Sequence, residues 1–164
     1  MVALEPRAAL APDGSKSADW LVETSDYGRH RIETAVHGAT AGAIHTLSVF
    51  VKPVERLALQ FEMRDQRPGK LGVVQFNFRD KAVTYAGGDI SGAGMQVLPD
   101  GWFRCWAAMP YFGDTAVFNI AMLGMHAAVE YRGSSSAGLL IWGTQFEPGV
   151  RPRGYAGAES RTPQ

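Results

Sequence analysis

Apolar and polar side chains alternate in this chain with a period of two, in short segments separated by turn residues, and nowhere hold a helical spacing for more than two turns. The cleanest segment is Arg56 to Arg64, where Leu57, Leu59, Phe61 and Met63 point one way and Ala58, Gln60, Glu62 and Arg64 the other. Leu71 to Arg79 repeats the pattern, with Val74, Phe76 and Phe78 inward and Gln75, Asn77 and Arg79 outward. Pairing these two segments across the turn from Asp65 to Lys70 sets Gln60 opposite Gln75 and puts both polar rows on one face.

Other segments read the same way: Ala18 to Thr24, His30 to Val36, Ile44 to Lys52, Met95 to Leu98, Gly101 to Tyr111, Ala116 to Leu123, Ala127 to Gly133 and Gly138 to Phe146. About nine or ten short strands joined by turns specify an all-β fold, a single antiparallel β-sandwich of jelly-roll type, with a closed barrel as the weaker alternative. The sandwich is expected over residues 13–150, after a loose lead-in over 1–12 and before a Gly- and Pro-rich tail over 151–164. The glycine-dense stretch Ala86 to Gly94 reads as a loop, and Phe112-Gly113-Asp114-Thr115 as a hairpin turn.

Given that hairpin, the outward face of the Gly101 to Tyr111 strand carries Arg104 and Trp106, and Asn119 joins them from the next strand. An indole left among polar neighbours exposes apolar area at about 25 cal/mol per Å². A flat apolar ring beside side chains that donate and accept in a plane suits a pyranose. The expected ligand-binding set is therefore Trp106, Arg104, Asn119, Gln75, Asn77, Gln60 and Glu62; the bland alternative is the solvated face of a sheet. A second candidate is a loop tip around Tyr27, Arg29, His30 and Tyr111.

Charge excludes some partners. With 16 basic and 16 acidic residues the net charge is zero, so neither nucleic acid nor an anionic membrane is called for. No apolar run is long enough to suggest a membrane span, and the start of the chain lacks the pattern of a signal peptide, so an exported domain would belong to a larger polypeptide. The single Cys105 leaves no intrachain disulfide and no multi-cysteine zinc site. His30, His37, His45 and His126 show no metal-ligand spacing.

Four motifs, in order, carry a resemblance: Pro12-Asp13-Gly14-Ser15 with Ala18-Asp19, Leu47-Ser48-Val49-Phe50-Val51-Lys52, Gly101-Trp102-Phe103-Arg104-Cys105, and Ile141-Trp142-Gly143-Thr144-Gln145-Phe146-Glu147. The chain resembles the carbohydrate-binding-module-like jelly-roll domain found in phage tail and tail-fibre proteins and in bacterial polysaccharide-degrading enzymes. The likeness runs from Asp13 to about Tyr155. It implies binding of an oligo- or polysaccharide, or a virion structural or receptor-contact role, without catalysis, in an extracellular or virion-associated setting. It implies that Trp102 and Trp142 pack internally. No cofactor is required; a structural calcium is the one candidate, with Asp19 and Glu147 as the nearest acids. For catalysis the residues offer little: Gln60-x-Glu62-x-Arg64 and Ala43-Ile44-His45 only partly match lyase strands and come in the wrong order, and the outward face carries one carboxylate, Glu62, where a glycosidase needs two.

Overall fold

A computed structural model describes residues 1–66 and 69–155; Arg67 and Pro68 of the Asp65 to Lys70 turn, and 156–164 of the expected tail, lie outside the described residues. Numbered along the chain, the strands are β1 (Val2–Ala9), β2 (Ala18–Glu23), β3 (Tyr27–Gly28), β4 (His30–His37), β5 (Ile44–Pro53), β6 (Ala58–Asp65), β7 (Leu71–Asn77), β8 (Ala82–Gly88), β9 (Gly92–Val97), β10 (Phe103–Pro110), β11 (Thr115–Met122), β12 (Tyr131–Arg132) and β13 (Gly138–Pro148). They form a six-stranded sheet in the order β1-β2-β13-β5-β10-β9, a five-stranded sheet in the order β4-β11-β6-β7-β8, and a small β12-β3 ribbon. All pairings are antiparallel. The eight central strands, β2-β13-β5-β10 over β4-β11-β6-β7, have the strand order of a jelly roll.

The alternation explains the packing. Leu47, Val49, Val51, Cys105, Ala107, Met109 and Leu139 face inward from one sheet and meet Leu59, Phe61, Met63, Val74, Phe76, Phe118 and Ile120 from the other. The rings of Phe61 and Phe76, on paired strands, lie 4.9 Å apart. Each such side chain contributes about 1.5–3 kcal/mol on leaving water. The β6–β7 hairpin has the expected register, Gln60 opposite Gln75.

The strands number thirteen rather than nine or ten, only Tyr131–Arg132 of the segment Ala127 to Gly133 is strand, and three further departures from the sequence reading bear on the site. First, β10 and β11 are not a hairpin: β10 pairs with β5 and β9, and β11 with β4 and β6. The segment between them crosses from one sheet to the other, because Tyr111 is wholly buried as a corner of the core. The carboxylate of Asp65 fixes the crossing by accepting the backbone N–H groups of Phe112, at 2.6 Å, and Gly113, at 3.1 Å. Secondly, the lead-in contains an edge strand, β1, paired to β2 from Val2↔Glu23 to Glu5↔Trp20 and broken at Pro6 and Arg7, where φ is 53°. It escaped notice because an edge strand exposed on both faces has no reason to alternate. Thirdly, the glycine-dense stretch holds the end of β8 and the start of β9. Glycine weakens a strand, but here aromatic rings stand in for the missing side chains: Trp106 spreads over Gly92 and Gly94, and Tyr85 over Gly87.

The described part of the tail is a strap across the outer face of the six-stranded sheet. Thr46 Oγ1 donates to the carbonyl of Gly149 at 2.8 Å, Arg104 to that of Arg153 at 2.6 Å, and the Tyr155 ring packs on Trp142 at 4.5 Å and Phe50 at 5.7 Å. Beneath it Trp102, Phe50, Ala18 and Ala11 form a second small core, so Trp102 packs internally and Trp142 lies half-buried beside it. Among the described residues no helix is long and apolar enough to cross a membrane.

Candidate functional site

The failed hairpin divides the expected binding set. Arg104 and Trp106 stand on the outer face of the six-stranded sheet, whereas Gln60, Glu62, Gln75, Asn77 and Asn119 stand on the five-stranded sheet, at the opposite side of the sandwich. Trp106 is half-buried against its glycines: a Cβ built on Gly94 would sit 2.5 Å from the indole Nε1. Arg104 is 8% exposed. Its guanidinium donates to the strap and to Ser48 Oγ at 3.1 Å and lies 5.0 Å from the centre of the Phe50 ring. Burial pushes its pKa down and the nearby Glu147 carboxylate opposes that. The strap covers Arg104, and Trp106 lies half-buried beside it against Gly92 and Gly94.

On the five-stranded sheet the remaining residues sort into two groups. Glu62 and Asn119 belong to a network of charges. Glu62 lies 3.4 Å from Arg29 and 3.6 Å from Arg64, Asn119 Nδ2 donates to Glu62 at 3.3 Å, and Arg64 reaches Glu33 at 2.9 Å. Asn119 is 1% exposed, and its Oδ1 is left without a donor. Apart from that oxygen, these groups are engaged with one another. Gln75 and Asn77 instead project into a groove of about 620 Å³ at the end of the sheet where β6 begins and β7 ends. Gln75 Nε2 donates to Gln60 Oε1 at 2.9 Å, so the nearly buried Gln60 holds the Gln75 amide in place. Asn77 Oδ1 accepts the N–H groups of Arg79 at 3.0 Å and Asp80 at 3.1 Å, capping the β7–β8 turn and leaving its own N–H groups for the groove.

The other walls escaped the sequence reading. Glu55, Arg56 and Leu57 come from the segment before β6, Thr84 from β8, and Leu123 to Ala127 from the loop after β11. In that loop His126 and Ala127 are both left-handed, at φ 55° and 59°. Non-glycine residues adopt this conformation at a cost of about 1–3 kcal/mol each, and such strain clusters at ligand-binding sites. Beside the groove Tyr85 stands opposite Gln75 on the outer face, half-exposed, with its ring along the strand over Gly87. Alternation would set Tyr85 on the core side with Val83; a bulge between their partners Gln75 and Phe76 turns Tyr85 outward.

One wall rests on a buried ion pair. Glu23 is 1% exposed and receives Arg56 Nε at 2.5 Å and Nη2 at 2.7 Å, the Ser134 N–H at 2.9 Å and the Tyr131 hydroxyl. Burial alone would raise the Glu23 pKa, but the hydrogen bonds from Arg56, Tyr131 and Ser134 together hold it below the usual value. Burial and then Glu23 push the Tyr131 pKa up. Arg56 is thereby committed and shapes the groove without being free for a ligand.

The alternative tip is not assembled either. His30 and Tyr111 are both wholly buried, and they sit at opposite ends of β11, since His30 pairs with Met122 while Tyr111 precedes Thr115. Only Tyr27 and Arg29 remain at a surface. The two acids considered for calcium are apart as well. Asp19 pairs with Ile141, and Glu147 lies six residues further along β13, roughly 15–20 Å at about 3.3 Å per residue. Asp19 accepts the Arg7 N–H and Glu147 that of Arg153. No group of three or more potential metal ligands occurs among the described residues.

A second cavity, about 360 Å³, opens between the sheets beside β4 and is lined by Ile32, Thr34, Val36, Phe118, Ile120, Thr144 and Phe146. Two threonines supply its only polar side chains, which does not suit a hydroxyl-rich ligand. No protein-family model and no curated protein matches the chain.

Proposed function

We propose that this jelly roll binds carbohydrate without acting on it, through the groove at the end of the five-stranded sheet and the adjoining row Gln60, Gln75 and Tyr85. The observation that carries the reading is the pair of amides, Gln75 and Asn77, held by neighbours and aimed into a groove whose size falls in the range used for small ligands. Amides donate and accept in one plane, as neighbouring sugar hydroxyls require. The half-exposed Tyr85 ring offers a flat surface for the C–H face of a pyranose. A domain with no net charge suits a neutral polysaccharide, and its setting on this reading is extracellular or virion-associated, within a larger protein. The test is affinity electrophoresis through gels containing soluble polysaccharides. Retardation by at least one, lost in Gln75→Ala with the cooperative unfolding transition retained, is the expected result. Uniform mobility across neutral and acidic polysaccharides would remove the proposal.

The uncovered apolar cleft beside β4 favours a second reading, a structural or receptor-contact module of a phage tail fibre in which another copy covers that edge. Sedimentation separates the two: a stable oligomer with no polysaccharide response selects the second.

A further inference from the structure

Among the described residues no Phe, Trp or Tyr lines the groove. Its apolar surface is aliphatic: Leu57, Ala58, Leu123, Met125 and Ala127. Two of these are held out towards solvent, Met125 at 78% and Leu57 at 37% exposed. Met125 opens the short turn Met125–Ala127, the segment with two left-handed residues, so the backbone spends strain on presenting it. An aromatic platform covers the broad C–H face of a pyranose. A flexible thioether and a leucine instead offer a narrow, adaptable apolar surface that suits a methyl group better than the face of a ring. The same groove is lined by the Gln75 amide, fixed by Gln60, and by the Asn77 amide, whose oxygen is used by the turn and whose N–H groups have no partner among the described residues.

A ligand group that matches this combination has a methyl next to a planar unit that donates one N–H and accepts at one oxygen. The acetamido substituent of an N-acetylamino sugar has that composition. Its carbonyl can accept from Asn77 Nδ2, its N–H can donate to Gln75 Oε1, and its methyl can enter the Leu57–Met125–Ala127 lip. A plain hydroxyl at the same carbon would leave the lip empty and one amide unpaired. We propose that the groove selects saccharides carrying acetamido groups over the same saccharides without them, an inference that rests on the carbohydrate reading and narrows it.

Chito- and cello-oligosaccharides of equal length share their linkage and differ at each ring only in acetamido against hydroxyl, so they isolate the proposed contact. Titration calorimetry of the full chain with both tetrasaccharides is expected to give at least about ten-fold tighter binding of the chito-oligosaccharide, the discrimination one methyl-sized apolar contact supplies. In Met125→Ser, an exposed position whose replacement spares the core, that ratio should shrink towards one. Equal affinities in the parent protein, or a ratio unmoved by both Met125→Ser and Leu57→Ser, overturn the acetamido assignment and leave carbohydrate binding standing. So does retardation by an acetamido-free polysaccharide without any response to the chito-oligosaccharide. Silence towards both tetrasaccharides and every polysaccharide in the gel panel overturns both readings together.

Discussion

Replacing Arg56 by methionine removes the charge from the wall of the groove while keeping most of its length. Glu23 would then be a carboxylate with 0% side-chain exposure, still accepting from Tyr131 and Ser134 but without its bidentate partner. Breaking a buried pair from one side costs about 3–5 kcal/mol. The surviving hydrogen bonds and the 21% exposure of Arg56 argue for the lower end, about 3 kcal/mol. For a domain of this size that is a loss of about 6–12 °C in melting temperature at neutral pH. The pH dependence is more diagnostic than the size. In the parent protein the folded-state pKa of Glu23 lies below its ordinary value of 4.5. Its stabilisation is therefore present above the unfolded pKa and is lost as pH falls through the folded one. In Arg56→Met burial acts with less opposition, so the folded pKa of Glu23 rises and the stabilisation it contributes at neutral pH shrinks. Relative to the parent the ionised carboxylate then costs stability at neutral pH, and that difference fades on acidification as it protonates. Thermal melts of both proteins from pH 7 to pH 4 should show the gap between them closing. A gap that stays constant across that range, or that never exceeds about 1 kcal/mol, would refute the claim that Glu23 is held ionised by Arg56.

Other outcomes follow from single contacts. Gly94→Val should push the Trp106 indole off β9, because the added Cβ would meet Nε1 at 2.5 Å, and the emission spectrum should shift to the red with the fold retained. Phe61→Ala should cost about 3–5 kcal/mol in denaturant unfolding, since it empties a site in the middle of the core against Phe76. Asn77→Ala should lower stability by about 1 kcal/mol through loss of the turn cap, and Gln75→Ala by about 1 kcal/mol through loss of the bond to Gln60, each also weakening the proposed sugar binding. Cys105, with 0% exposure and its pKa pushed up by burial, should stay unmodified by thiol reagents until the protein is unfolded.

The sandwich was legible because its core strands obey a single rule. Leu59, Phe61, Val74, Phe76, Leu47 and Val49 alternate with polar residues, and all six are wholly buried. The register of β6 on β7, and with it the Gln60–Gln75 contact, followed from that alternation and one turn. What stayed hidden was connectivity. Phe112-Gly113-Asp114-Thr115 has the composition of a hairpin turn, and only the long-range hold of Asp65 and the burial of Tyr111 make it a crossing between sheets. That one misreading put Trp106 and Arg104 on the same face as Gln75 and Asn77. The groove walls were hidden for a related reason: Leu57, Thr84 and Met125 are 27 to 68 positions apart in sequence, and nothing local marks them as neighbours.

The six-stranded sheet holds both β1 and the strap, while the groove opens from the five-stranded one. A bead, a surface or a further module attached at the strap would therefore stand on the side away from the proposed groove, whereas Met1 donates to Arg29 at the edge of the five-stranded sheet. Held at the strap, the jelly roll works as a mounting bracket, with its fixing on one plate and its working face on the other.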